Sequence, residues 1–237
     1  MWKIFNYIII SSVFSFFCLP VHAIDNEKKT DKKTGKETAK KDTVALYQGF
    51  FVEIDLAPIV TSTLINKSTY SMQGNVQLNL KNKLFPVVEL GYAGADKTAS
   101  SNIRYKTSGM FGKIGIEIPF VSPKTNLAVK NNFLLIGLRL GMSSFNYSYY
   151  NFSWSDNYWG GNEVINFQSQ PATKFWLEIA GGMRVNAYKN IYMGWTVRSL
   201  HLLNQAKAGA LNPWYIPGYG ISNSSGWGFS YIIGYKF

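Results

Sequence analysis

From Tyr47 to its C-terminus the chain repeats one pattern: apolar residues alternate with polar, charged or small ones. In Phe50–Leu56, Val52, Ile54 and Leu56 oppose Glu53 and Asp55. In Gln73–Leu80, Gly74, Val76, Leu78 and Leu80 oppose Gln73, Asn75, Gln77 and Asn79. In Leu84–Tyr92, Val88, Leu90 and Tyr92 oppose Val87, Glu89 and Gly91. In Met110–Phe120, Ile114, Ile116 and Ile118 oppose Lys113, Gly115 and Glu117. The same alternation runs through Phe133–Met142, Phe175–Asn186, Ile191–Ser199 and Trp227–Phe237. A period of two predicts β-strands, with successive side chains on opposite faces.

Energetics decide which face is which. An Arg or Lys turned toward the middle of a bilayer costs about 2–4 kcal/mol. If these strands cross lipid, the polar set must point inward and the apolar set outward. A soluble sandwich would invert this, with charges outside and a greasy core between two sheets. The connections fit the first arrangement. Lys81–Lys83 and Ala187–Asn190 are short and 121–131 is modest, whereas 61–69, 95–103, 146–172 and 201–225 are longer loops. Membrane barrels have short periplasmic turns and longer outer loops. The expected fold is therefore all-β: a single antiparallel up-and-down transmembrane barrel of eight strands over residues 47–237, both ends periplasmic.

The N-terminus reads differently. Met1–Lys3 give a short positive start, Ile4–Cys18 an apolar stretch, and Val21-His22-Ala23 a site for cleavage after Ala23. That is the layout of a secretory signal peptide, 1–23. The apolar stretch is short for a helix spanning about 30 Å. Residues 24–46 begin with the Lys-rich run 24–43, which lacks the apolar residues needed to offset ordering entropy, and predict a disordered periplasmic tail.

Composition supports this reading. Of 237 residues, 16% are aromatic and only 16% are charged, below the roughly 25% charged residues of ordinary soluble chains. The single cysteine, Cys18, leaves with the leader, which removes disulfide, thiolate and cysteine-metal chemistry from the mature chain. The net charge of +11 is spread over tail, turns and loops rather than gathered on one basic face, so no nucleic-acid partner is expected.

The inward set carries acids at Glu53, Asp55, Glu89, Glu117 and Glu178 and bases at Lys113, Arg139, Arg184, Arg198 and Lys236. Eight strands enclose a lumen that side chains fill, so these groups predict a salt-bridged polar plug rather than a wide pore. A narrow channel for small or apolar solutes is the alternative. A lipid-modifying enzyme is a third reading. His201 is the one histidine past the leader, with Ser199 two residues earlier, but Leu203 stands where known barrel deacylases carry the serine of a His-x-Ser arrangement. Acyl transfer needs an oriented nucleophile and base, so the chain is read as a non-enzyme with no catalytic, cofactor-binding or metal-binding residues assigned. Function is sought in the loops instead. Tyr147, Tyr149, Tyr150, Phe152, Trp154, Tyr158, Trp159 and Phe167 crowd 146–172, and Gly160-Gly161 suits a hairpin turn. Such a hairpin would offer a strand edge to an extracellular protein or glycan partner.

Two segments carry resemblances. The last strand ends Tyr235-Lys236-Phe237 with aromatics at alternate positions, and resembles the C-terminal signal read by the outer-membrane assembly machinery. The region 47–237 resembles small outer-membrane barrels, and Pro213-Trp214-Tyr215-Ile216-Pro217-Gly218-Tyr219-Gly220 reads like a signature of an uncharacterised outer-membrane family of Bacteroidota. The resemblance implies the outer-membrane location and the barrel fold, not an activity; the leading reading is a structural or surface-interaction role among the outer-membrane lipids, with no cofactor.

Overall fold

A computed structural model describes residues 46–64, 66–120, 132–156, 161–204 and 211–237, with side chains left undescribed at 153–156 and 161–163. The leader, nearly all of the tail and the turn at 121–131 lie outside the described residues.

The alternating segments form β1 (Tyr47–Asp55), β2 (Thr69–Leu80), β3 (Phe85–Thr98), β4 (Arg104–Pro119), β5 (Phe133–Asp156), β6 (Gly161–Tyr188), β7 (Ile191–Leu202) and β10 (Ser225–Lys236). They close into an antiparallel barrel in the order β1-β10-β7-β6-β5-β4-β3-β2. Every strand pairs with its sequence neighbour, and β1 closes the ring on β10 through Phe51↔Lys236 to Asp55↔Ile232. The fold is the expected one. Three short elements complete it: helix α1 (Ala57–Leu64), and the two-residue strands β8 (Tyr215–Ile216) and β9 (Gly220–Ile221).

Turn chemistry separates the two ends. The β2–β3 turn is tight because Lys81 and Asn82 both adopt left-handed backbone with φ of 54°. Asn79 Oδ1 accepts from Asn82 N at 2.9 Å, which holds the turn shut. At the opposite end β5 and β6 run far past their neighbours. Most of the segment expected to be loop at 146–172 is therefore strand, and only 157–160 between them is undescribed. The expected loop at 61–69 also changes character. Asp55 Oδ1 accepts from Ala57 N at 3.0 Å and caps α1, whose first turn includes Pro58.

The faces fall as the energetics required. Outward along β4 and the residue after it lie Met110, Ile114, Ile116, Ile118 and Phe120, all exposed. The ten rises from Met110 to Phe120 make roughly 33 Å of strand. With strands tilted by about 40°, that is about 25 Å of height, the thickness of the apolar band of a membrane barrel. On β5 the outward residues change from Leu134–Met142 to Ser144, Asn146 and Ser148, so the band stops there and the hairpin continues above it.

Candidate functional site

The lumen is filled in three layers. The lowest is aromatic: Phe51, Phe85, Phe133, Leu135 and Tyr192 are buried together at the short-turn end. Their rings meet edge-on, Phe51 to Tyr192 at 5.0 Å and Phe85 to Phe133 at 5.1 Å.

The middle layer is ionic. Glu89 receives Lys113 at 2.6 Å, Arg139 at 2.7 Å and Arg198 at 3.3 Å. Arg139 also binds Glu117, which accepts from Gln77 Nε2 at 2.7 Å. Lys113 and Arg198 reach Glu178 at 3.2 and 3.6 Å. Arg184 grips Glu53 with two nitrogens at 2.7 and 3.1 Å and donates to Thr196 Oγ1 at 3.0 Å. These side chains come from seven of the eight barrel strands: Glu89 and Lys113 face each other on paired strands, while closure brings distant partners such as Arg184 and Glu53 together. All are buried, and buried charge persists only when paired and hydrogen-bonded in this way. Lys236, expected in this set, is instead only half-buried at the lower rim. Its Nζ lies 5.7 Å from the ring centre of Phe51.

The upper layer was not anticipated. Residues 201–225 were expected to form an outer loop, but the segment from Leu211 folds back into the mouth of the barrel. Tyr215 and Ile216 pair with Ile221 and Gly220 around Pro217-Gly218. Tyr219 N donates to Ile216 O at 3.1 Å, and Gly218 has φ of 81°. Pro at the second position and a left-handed Gly at the third are the marks of a type II turn. Gly218 has a second reason to be glycine: a Cβ there would lie 2.3 Å from the ring of Phe111. Ile216 and Pro217 are fully buried, so the tip of the turn is a plug.

Tyrosines latch this plug. Tyr105 Oη donates to Tyr215 O at 2.9 Å and accepts from Tyr215 N at 3.3 Å. Tyr147 and Tyr149 donate to the carbonyls of Leu211 and Asn212 at 2.7 and 2.8 Å. Two members of the expected aromatic binding surface therefore pack the plug instead. Tyr158 and Trp159 lie outside the described residues, and the Trp154 side chain is among those undescribed. Burial pushes the phenols of Tyr149 and Tyr215 up to about 12. Above the band, Arg104 donates to both oxygens of Asp96 at 2.8 and 2.6 Å, bracing the β3–β4 hairpin and holding the Asp96 carboxyl low. Trp176 joins the two upper layers. It is fully buried, its Nε1 donates to Glu178 Oε1 at 2.8 Å, and its ring sits 5.9 Å from Tyr219.

His201 and Ser199 sit together on the outer face, with Ser199 Oγ 3.0 Å from His201 Nε2. Their cross-strand neighbours are Leu177 and Ser225 for His201, and Ile179 and Trp227 for Ser199. No carboxylate occupies these four positions to orient the imidazole, while Glu178 on the adjoining strand points into the lumen.

An apolar exterior of bilayer height, an ion-paired interior and eight antiparallel strands define a bacterial outer-membrane β-barrel. The chain belongs to the family described as a domain of unknown function, DUF6048, whose model matches residues 5–237. No curated protein matches it in sequence. Among solved structures it is similar to Ail, the attachment invasion locus protein of Yersinia pestis, in a complex with the heparin analogue sucrose octasulfate. That match has 11% identity and a TM-score of 0.39, and covers 80% of this chain and 94% of Ail. It is also similar to Neisserial surface protein A, with 12% identity and a TM-score of 0.37, covering 81% of this chain and 99% of that one.

Proposed function

We propose that the protein is a non-conducting outer-membrane barrel that presents the β5–β6 hairpin to an extracellular protein partner. On this reading residues 1–23 direct export, and the aromatic last strand engages the assembly machinery. The signature Pro213–Gly220, read as that of a Bacteroidota family, serves as the plug.

The observation that carries the proposal is an unpaired strand edge. Pairing of β5 with β4 ends at Tyr150↔Arg104, whereas pairing of β6 with β7 begins only at Trp176↔Leu202. Leu203 and Asn204 still bond to this edge at Phe175 and Thr173, and beyond Thr173 the far edge of β6 has no strand beside it among the described residues. An unpaired edge is a template for another strand unless something blocks it. Pro171 and Lys174 guard the lower part, while Val164–Gln168 carries no such guard and exposes Val164 and Ile165. An added strand would gain its affinity from backbone hydrogen bonds and its specificity from alternate side chains. The three filled layers of the lumen argue against solute passage.

Peptides selected by phage display against the full chain in nanodiscs test this. Residue N–H groups alternate between the two edges of a strand, so one of Ile165 and Asn166 offers its N–H to the free side. Binding lost in Ile165→Pro or Asn166→Pro but kept in Ile165→Thr supports strand addition. Peptides indifferent to both prolines, or selective binding of glycans instead, would refute it. Planar-bilayer recordings should be silent, and steady discrete conductance would sink the non-conducting part.

A further inference from the structure

The barrel wall is incomplete in its outer half. β1 stops at Asp55, opposite Gln73 of β2 and Ile232 of β10. Its neighbours go further, because β2 begins at Thr69 and β10 at Ser225. Between Thr69–Met72 and Ser225–Ser230 no strand among the described residues completes the wall. Helix α1 stands in the gap and packs on both β2 and β10. It leaves an open cavity of about 300 Å³ between itself, β2 and the plug turn, with Arg198 among the residues that bound it.

The chemistry of this cavity is specific. Its helix side presents Thr61 and Ser62, whose hydroxyls already donate to carbonyls of α1 at 2.9–3.0 Å. Their oxygens are left as acceptors. On the β2 side it presents the hydroxyls of Thr69 and Ser71. Arg198 is its one charged group, and is 6% exposed. The terminal nitrogens of Arg198 are engaged by Glu89, Asp55, Glu178 and Ser230. Three carboxylates surround this guanidinium, so an anion gains no net attraction there. A ligand group that accepts from the Thr69 or Ser71 hydroxyl and donates to the Thr61 and Ser62 oxygens is itself a hydroxyl. A phosphate only accepts and does not meet the second demand.

The position of the cavity is equally informative. Its lip carries Tyr70 and Phe229, both outward-facing. Tyr70 packs near Tyr92 at 6.1 Å, and Trp227, two residues from Phe229, is 80% exposed. Outward aromatics at strand ends mark the level of lipid headgroups. The exposed Ile59 and Val60 of α1 suit the same level.

We propose that this cavity binds the neutral, hydroxyl-rich headgroup of a membrane lipid, of glycolipid type, entering sideways through the gap in the wall. The acyl chains stay in the bilayer along Phe229 and Met72. This site is separate from the β6 edge and does not depend on it.

The test uses the full chain in phosphatidylcholine vesicles carrying trace pyrene-labelled monogalactosyl diacylglycerol, read by energy transfer from tryptophan. Enrichment of about tenfold over pyrene-labelled phosphatidylcholine, equivalent to about 1.4 kcal/mol, is expected. Ser71→Leu and Thr61→Leu fill the cavity from two sides and should each bring the ratio near unity while keeping the heat-modifiable gel shift of a folded barrel. No enrichment in the native protein, or enrichment unchanged in both filled variants, overturns the site. Stronger enrichment of labelled phosphatidic acid overturns the neutral-headgroup assignment. Full competition by free methyl galactoside at the concentration of the lipid overturns the lipid as its source.

Discussion

Tyr105→Phe isolates the latch of the plug. The substitution keeps the ring, which packs 4.9 Å from Tyr149 and 5.7 Å from Trp214, and removes only the hydroxyl. That hydroxyl serves both backbone groups of Tyr215, at 2.9 and 3.3 Å, in a buried setting. Leaving a buried donor or acceptor unsatisfied costs about 1–3 kcal/mol. Two such groups, partly relieved by local adjustment, make about 2–4 kcal/mol. Most of it falls on the seated plug, because both of these hydrogen bonds run to Tyr215. At 1.4 kcal/mol per factor of ten, plug opening becomes about 30- to 700-fold more frequent. Amide hydrogen exchange reads this directly, since protection follows the free energy of local opening. Exchange at Tyr215–Gly220 should accelerate by that factor, with β2–β5 amides unchanged. An acceleration below about threefold would refute the latch, and a uniform acceleration through the barrel would refute the independence of plug and wall.

Arg139→Met removes the cation shared by Glu89 and Glu117, leaving buried carboxylates short of a partner, and should cost about 3–5 kcal/mol in urea unfolding from detergent. Gly141→Ala should cost about 1–3 kcal/mol and alter the near-ultraviolet tryptophan signal, because the added Cβ would lie 2.1 Å from the Trp176 ring. Gly181→Ala, with open space at the same atom, should leave both unchanged. Ultraviolet titration should find the Tyr149 and Tyr215 phenolates only near pH 12. The unfolded phenols ionise near 10, so the stability these groups confer is complete below pH 10 and lost as pH rises toward 12. Plug exchange should therefore accelerate in that window, and ordinary titration of both groups at pH 10 would contradict their burial.

The sequence by itself determined the wall and its polarity. Strand period is two, so one glance at Glu89, Leu90 and Tyr92 assigns the faces of β3, and the cost of charge in lipid decides which face is outside. The same logic placed nine of the ten expected lumen ions correctly, from Glu53 to Arg198. Lys236 escaped it because alternation gives direction but not depth, and its place at the lower rim depends on where the barrel ends. Pairing within the network was not legible either. Arg139 meets Glu89 across the intervening β4, and Arg184 meets Glu53 across a separation of 131 residues, a contact that exists only once the ring closes.

Tertiary structure alone decided the plug, the helix in the wall and the edge of β6. Pro217-Gly218 suits a tight turn, but nothing local says whether such a turn points to solvent or into the barrel. The space beneath it decides. Gly141 and Gly218 leave room for Trp176 and Phe111, and an apolar turn buried there leaves water more favourably than one exposed above the membrane. The gap that α1 occupies has a similar origin. β1 ends where Asp55 turns its carboxylate to cap the helix, while the lengths of β2 and β10 are set by their other neighbours. Alternation is a property of single strands. Plugs, gaps and free edges come from the mismatch between strands that only pairing reveals.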